Sequence, residues 1–454
     1  MRVRNYRFYW FGGVVSNIGT WMQRIAQDWL VLHLSHNSGF ALGVTTGLQF
    51  LPMLLFGLWG GVLADRYDKR KLLQVTQVAF AVVALALALL DIGDVVQVWH
   101  VYLLALLLGV VTAVDNPARQ AFVVEMVGSR DTSNAVALNS ASFNTARIIG
   151  PAVAGLLINL IGTGPVFVVN AVSYAAVLVG LRLMRPEELR RPDRARRSRG
   201  QLREGLRYVK ERPDLLLPII IVGFVGTFGM NFQITMALMA KEVFHRGAGS
   251  FGLLATAMAV GSLAGALLAA RRSRPRARLF VESAVAFGVL EIVSGLLPTY
   301  GTFMAVLVPI GVFSISMATT ANAYVQISSS PSMRGRVMAL YALVFMGGTP
   351  LGAPIVGWAA GQFGAKWSLI IGGLISLLAT VIATALLSRR QGLRLQPKVR
   401  PLPHWEVSLP AAEPTPPAPD PGRLRTELVE QPTPVESPAP QLADVGRPGE
   451  PVSR

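Results

Sequence analysis

The sequence predicts an all-α polytopic membrane protein, with twelve transmembrane helices in two pseudo-symmetric six-helix bundles. Three observations predict it. The 454 residues are 52% hydrophobic and only 15% charged, with a mean hydropathy of +0.48, whereas about a quarter of a soluble protein is charged. Apolar stretches of about 20 residues, the length that crosses a bilayer core, recur from Trp10 to Leu387. Lys and Arg then fall almost wholly in alternate connections. So much apolar material excludes a disordered chain. The short alternating segments of a β-barrel are absent, and helices satisfy their own backbone in lipid.

The expected spans are residues 8–32, 41–64, 72–91, 98–118, 134–161, 164–184, 215–240, 250–270, 279–297, 301–328, 336–362 and 366–388. Thirty-seven of the 42 Lys and Arg lie at one set of ends, against three (Lys241, Arg246, Lys366) at the other, with Arg24 and Arg147 inside spans. The positive-inside rule places the rich set, and both termini, in the cytoplasm. The net charge of +17 is thus topology and calls for no nucleic acid. The basic start Met1–Arg7 precedes an apolar run too long for a cleavable signal peptide.

Each element carries its own signal. In span 1, Asn17, Thr20, Arg24, Gln27 and Asp28 recur at helical spacing on one face, which predicts a water-accessible interior face, since charge in lipid is costly. Arg24 and Asp28 are in pairing register. Span 2 ends in Gly61-Val-Leu-Ala-Asp65-Arg66-Tyr-Asp-Lys69-Arg70-Lys71. There Gly61 permits close packing, Asp65 calls for a cation or a helix N-terminus, and the basic run suits anionic headgroups. Span 4 closes with Asp115-Asn-Pro117-Ala-Arg119-Gln-Ala-Phe122, and Asn134-Ala-Val-Ala-Leu-Asn139 opens span 5. Span 5 aligns Ser140, Asn144 and Arg147, then runs Gly150-Pro151-Ala-Val-Ala-Gly155, a thin kinked helix expected to pack on Gly261–Gly265 of span 8.

Residues 185–214 form a basic linker in which Gln201–Glu211 is expected as an amphipathic helix on the membrane surface. Span 7 offers Thr227, Asn231 and Thr235; span 9 has Glu291 without a partner in its own helix; span 10 has Asn322 and Gln326. Span 11 contains Gly348-Thr-Pro350-Leu-Gly352-Ala-Pro354. Beyond it, residues 389–454 hold 15 of the 29 prolines, so 391–454 is expected to be a disordered Pro-rich cytoplasmic tail.

The chain reads as a duplication. At an offset of 202, Ala137-Leu138 matches Ala339-Leu340, and Gly150, Gly155 and Gly162 match Gly352, Gly357 and Gly364. The expected units are 1–184, an N-terminal bundle; 185–214, the linker; 215–390, a C-terminal bundle; and 391–454, the tail.

The motif at 61–71 resembles the loop 2–3 signature of the major facilitator superfamily, with Asp68 in place of its second glycine. Gly150, Pro151 and Gly155 resemble in part the span 5 motif of its exporters. The patterns in spans 1, 4 and 5 are similar to the branch that contains the enterobactin exporter and macrolide-efflux proteins. This resemblance, over about residues 5–390, implies a secondary active transporter whose halves rock about a central site. It implies efflux of a small amphipathic drug, siderophore or metabolite against protons, in the plasma (inner) membrane. It assigns gating to Gly61, Asp65, Arg66, Lys69 and Arg70, with Asp65 meeting the start of span 11 at 330–336 when the halves face outward.

A proton-coupled carrier needs a carboxylate whose surroundings change as access alternates. Asp28 is the first candidate, with Arg24 or Arg147 as switchable partner, followed by Glu291 and Asp115; a static Arg24–Asp28 pair and an Asp115–Arg119 latch are the structural alternatives. Cavity candidates are Asn17, Arg24, Gln27, Asn144, Arg147, Asn231, Asn322 and Gln326. Trp21, Trp29, Phe50, Met230, Phe232, Met236 and Met317 are available for an adaptable apolar lining. Import of a nutrient and a non-transporting membrane receptor are the other readings. No cysteine, no clustered histidines, no catalytic triad and no phosphate-binding loop occur, so no enzyme activity, metal or cofactor is expected. The expected partners are a small-molecule substrate, protons and the bilayer, with a monomer as the working unit.

Overall fold

A computed structural model of the chain describes residues 3–189, 201–271, 277–390, 395–400 and 402–407. The basic run 190–199, Arg272 and the tail from 408 onward lie outside the described residues. Six helices form the first half: α1 Arg4–Leu34, α2 Gly39–Arg66, α3 Lys69–Ile92, α4 Val98–Gly128, α5 Arg130–Ile161 and α6 Thr163–Arg182. The linker helix is α7 Gln201–Glu211. The second half is α8 Pro213–Val243, α9 Ala248–Ala270, α10 Ala277–Leu296, α11 Tyr300–Ser328, α12 Arg334–Phe363 and α13 Ala365–Arg390.

Eleven of these helices are long and apolar enough to cross a membrane by themselves. The twelfth, α1, has 31 residues and so the length to span. It is more polar in composition, and its polar side chains are turned inward: Ser16, Gln23, Gln27 and Asp28 are buried while Phe11 and Val15 are exposed. Across the bundle many large apolar side chains are exposed, among them Leu89, Val172, Leu296 and Leu351. A surface of this kind faces lipid rather than water.

Helix starts follow local chemistry. Ser38 caps α2 at Ala41 N, Asp68 caps α3 at Lys71 N, and Thr299 caps α11 at Thr302 N. The expected connection at 119–133 is instead mostly helical, broken only at Gly128, which sits at φ 74°. Its residues Phe122, Val123, Met126 and Val127 are buried with Tyr6, Tyr9 and Leu73. That packing carries α4 ten residues past the expected end and draws the start of α1 back to Arg4. The single span expected at 215–240 is interrupted by π-helical turns at Val225–Gly229 and Met239–Val243. Asn231 Nδ2 donates to Thr227 O at 2.7 Å and satisfies a carbonyl the first interruption frees.

The duplication is visible in what each matched glycine touches. Gly150 lies on α1 at Ile18 and Trp21, and Gly352 lies on α8 at Thr227. Gly155 lies across the halves on α9 at Ala248 and Gly249, and Gly357 lies across them on α2 at Gly39 and Gly43. Gly162 and Gly364 both end their helices at positive φ, 82° and 92°, where a side chain is strained. The pairs α1/α8 and α2/α9 are therefore counterparts.

The tail departs from the expectation of disorder at its start. Leu395–Arg400 and Leu402–Val407 pair antiparallel, with Leu395 opposite Val407, Pro397 opposite Trp405 and Val399 opposite Pro403. Apolar and polar residues alternate along Leu395–Arg400 and from Pro403 to Val407, which is the period of a strand.

Candidate functional site

The two halves meet most closely at the end that carries the α1–α2 and α5–α6 turns. A Cβ on Gly43 of α2 would overlap Ala353 O of α12, and one on Gly252 of α9 would overlap Pro151 O of α5. Only glycine permits such approach. The partner of the span 5 motif is thus Gly252 with Gly249. The expected Gly261 and Gly265 instead pack on α11 at Val308 and Val312. At the opposite, basic end, three bonds of the connecting segments each tie elements of one half together. Lys69 pairs with Glu125 at 2.7 Å, Arg70 Nε donates to Leu181 O at 2.7 Å, and Arg336 pairs with Glu204 at 2.6 Å.

Between these ends lies a cavity of about 410 Å³ bordered by α1, α2, α5, α8, α9, α11 and α12. Its wall is aromatic and sulfur-rich: Trp21, Phe50, Phe232, Phe251, Phe345, Met230, Met236, Met258 and Met346. The polar groups that reach it are few, chiefly Arg147, Gln233, Ser314 and Thr349. This is the make-up of a drug-sized binding site, an apolar wall with a few placed polar groups. Methionine adds adaptability through its flexible, polarizable thioether. Five of the seven aromatic and Met residues anticipated for a lining are there; Trp29 and Met317 are not.

Asp28 is buried and accepts a hydrogen bond from Gln233 Nε2 at 2.7 Å. This bond joins α1 to α8 across the two halves. Arg24, the expected partner, is near enough for its charge to act on Asp28 but makes no hydrogen bond or ion pair with it; its Cζ is 4.8 Å from the Trp21 ring centroid and 5.7 Å from that of Phe50. Gln233 was not anticipated because it falls on the opposite helical face from Asn231. The break at Met230–Asn231, where Asn231 leaves the helical region at φ −93° and ψ 35°, reorients the segment that carries it. A polar residue beside a helix break was the available signal.

Asp115 is buried and satisfied: Thr76 Oγ1, Gln77 Nε2 and Arg119 Nε donate to it at 2.7, 2.8 and 3.0 Å. These partners hold Asp115 inside the first half, and Thr76 and Gln77 lie in α3 beyond the 61–71 motif with which a latch is expected. Glu291 is also buried, but Oε2 has no hydrogen-bond partner and lies near Gly229 of α8, beside an equally unpartnered Ser376 Oγ of α13. It sits within the second half and outside the central cavity.

The remaining cavity candidates divide. Asn17 Nδ2 donates to Ser142 Oγ at 3.2 Å, Gln27 reaches Gln49 at 3.5 Å, and Asn144 donates to Ser140 O in its own helix. Asn231 is buried by its own backbone bond. Asn322 and Gln326 are exposed and follow cavity-lining Ile315 by seven and eleven residues, so they extend that face of α11 toward the basic end. In the 61–71 motif, Gly61 is buried, Asp65 and Arg66 are exposed, and the closest helix approach belongs to neighbouring Gly60, against Ala113. Arg70 also reaches Arg182 O, so it caps the C-terminal end of α6.

The linker helix is seated on the second half. Gly205 lies against Arg336 of α12, Val209 is buried, and Arg212 holds Asp214 through two bonds of 2.9 and 2.6 Å while donating to Ser328 O. The Asp214 carboxylate holds the Arg212 pKa above the usual guanidinium range.

The profile of the transmembrane secretion effector family matches residues 1–411. Among curated relatives, the staphyloferrin A transporter of Staphylococcus aureus is 25% identical over 380 residues, covering 83% of this chain and 94% of that protein. The multidrug efflux pump Tap of Mycolicibacterium fortuitum is 26% identical, with 83% and 94% covered. Macrolide efflux protein A of Streptococcus pyogenes is 24% identical, with 83% and 95% covered. The fold is that of solved transporters. A bacterial homolog of the human lysosomal transporter Spinster, inward-facing and occupied, aligns with a TM-score of 0.64 at 15% identity over 85% of this chain and 96% of that one. A D-xylose–proton symporter aligns with a TM-score of 0.66 at 14% identity over 84% and 96%. On the family match, the twelve spans and the duplicated halves, the chain belongs to the transmembrane secretion effector family of major facilitator transporters.

Proposed function

We propose that this protein exports a small amphipathic molecule from the cytoplasm, driven by protons that enter as the substrate leaves. The efflux named for its relatives supports this direction, and so does the apolar cavity between the halves. The Lys and Arg asymmetry supports a plasma-membrane orientation with the basic end and both termini in the cytoplasm. In that orientation the end sealed by Gly43 and Gly252 faces outward, and the cytoplasm is the side from which substrate loads. A single protomer encloses the whole cavity, which supports a monomer as the working unit.

The observation that carries the coupling is the Asp28–Gln233 bond across the two halves. When the halves rock to open the sealed end, α1 and α8 separate there and Asp28 loses its donor. A carboxylate whose partner is present in one state and absent in the other binds a proton differently in the two, which is the requirement for coupling. Asp28 is the proton carrier in this reading. Asp115, already satisfied by three donors, keeps its surroundings as the halves move, and Glu291 stands apart from the cavity.

The test uses energised inside-out vesicles and a pH-sensitive dye. Siderophores, macrolides and cationic dyes are added singly. A compound that dissipates the gradient in wild type and not in Asp28→Asn supports proton-coupled export. Normal transport by Asp28→Asn with an unchanged pH dependence removes Asp28 from the role.

A further inference from the structure

One cation, Arg147, lines the central cavity and a second, Arg24, lies against two of its lining rings; the lining itself holds no carboxylate. Arg147 lines it, with Cζ 5.9 Å from the Trp21 ring centroid. Arg24 stacks on the same ring at 4.8 Å and on Phe50 at 5.7 Å. Both rings line the cavity. Neither guanidinium makes a hydrogen bond or ion pair among the described residues, and Arg24 Nε is buried without an acceptor. A guanidinium has five N–H donors and no acceptor of its own. The nearest acid in sequence, Asp28, directs its Oδ2 to Gln233.

Ring faces attract a cation but accept none of its hydrogen bonds. Two like charges that share one ring also repel each other. Both costs fall when an anion enters between them, because guanidinium donors fit planar oxyanions in a forked, two-bond geometry. The rest of the wall is apolar, so the same molecule needs a hydrophobic body.

We infer that the transported molecule carries an oxyanion, a carboxylate or a group of like shape and charge, which docks between Arg24 and Arg147 at Trp21. Its apolar body then lies against Phe232, Met236 and Met258. This rests on the reading of the cavity as the transport site. It selects against cationic amphipaths, for which the cavity offers no facing carboxylate.

The test is equilibrium binding to the full-length protein in lipid nanodiscs. The probes are pyrenebutyrate, its amide, and pyrenebutylamine, which share one apolar body and differ in head-group charge. Binding is read as energy transfer from the protein's tryptophans to pyrene, with protein-free nanodiscs subtracted. The acid should bind at least ten-fold more tightly than the amide, and the amine more weakly than either. In Arg147→Gln and in Arg24→Gln the ratio of acid to amide affinity should fall several-fold; Arg147→Lys should keep part of it.

Equal binding of acid and amide, or preference for the amine, overturns the oxyanion and leaves the cavity as a binding site. That outcome is read on wild type alone, so it does not depend on the folding of a variant. Persistence of the full preference in both Gln variants also overturns it. The absence of saturable binding by all three probes overturns the cavity itself as the transport site.

Discussion

The two halves share a template yet handle buried polarity in different ways. In the first half, the buried acids Asp115 and Glu125 are each bonded. Asp115 takes three donors, Lys69 meets Glu125, and Asn170 donates to both Gln23 and Tyr174. Each half leaves buried polar atoms without partners, Tyr9 OH, Arg24 Nε and Gln77 Oε1 in the first and Glu291 Oε2, Ser376 Oγ and Thr384 Oγ1 in the second, so the contrast lies in the acids: Asp115 and Glu125 are bonded, and Glu291 Oε2 is not. The first helices also differ: α1 is unbroken and carries Arg24 and Asp28 within its span, whereas α8 is interrupted twice and carries its charges, Asp214, Lys241 and Glu242, only at its ends. Satisfied networks resist movement, while helix interruptions mark places where backbone rearranges. The comparison teaches that α1 is the continuous, charged wall of the cavity and α8 the interrupted, apolar one.

The sharpest way to break this comparison is to neutralise one buried acid in each half. Asp115→Asn strips Arg119 of its counter-charge and should destabilise the protein by about 3 kcal/mol. Glu291→Gln removes no hydrogen bond and should change stability by less than about 1 kcal/mol. Thermal unfolding followed by size-exclusion chromatography checks both; equal losses would show that the halves do not differ.

Matched glycines give the next effect. Gly352→Val forces a side chain into the backbone of Thr227, and Gly150→Val forces one into Trp21 and Ile18. Each should cost about 1–3 kcal/mol as overpacking. Gly352→Val should cost the more if backbone shifts less readily than a side chain, and the same unfolding assay ranks the pair.

A smaller effect belongs to the bond that joins the halves. Gln233→Leu should leave the fold intact and weaken the sealed end by about 1.5 kcal/mol, the loss of one hydrogen bond to a charged group. The chain has no cysteine, so a single Ala360→Cys, a buried position near Gly39, reports opening by its rate of maleimide labelling. Labelling should accelerate about ten-fold. An unchanged rate would mean that the seal does not use this bond. The smallest effect is expected from Arg336→Ala. Its partner Glu204 is half exposed, and exposed pairs contribute well below about 1 kcal/mol.

Much of the site was legible because its signals are local. The polar face of α1 follows from helical spacing alone, and Arg147 on α5 from the cost of charge in lipid. The cavity's sulfur content was only partly legible: Met230 and Met236 lie near the break in α8, but Met258 and Met346 are indistinguishable in sequence from residues that face lipid. Asn322 and Gln326 belong to the right face of α11 yet lie beyond the cavity, because periodicity reports a direction around a helix and not a depth along it.

The sequence by itself determined the number of spans, their duplication, the distribution of charge between the two ends, and which helices carry buried polarity. These are properties of single segments in lipid, where each helix must satisfy its own backbone and present an apolar surface. Tertiary structure alone decided that Asp28 meets Gln233 rather than Arg24. It also decided that the span 5 motif meets Gly252 rather than Gly261, and that Glu291 stands outside the cavity. The choice of partner depends on how surfaces distant in the chain fit together. A π-turn in α8 or a glycine contact that brings two backbones together alters that fit without leaving a periodic trace in the sequence.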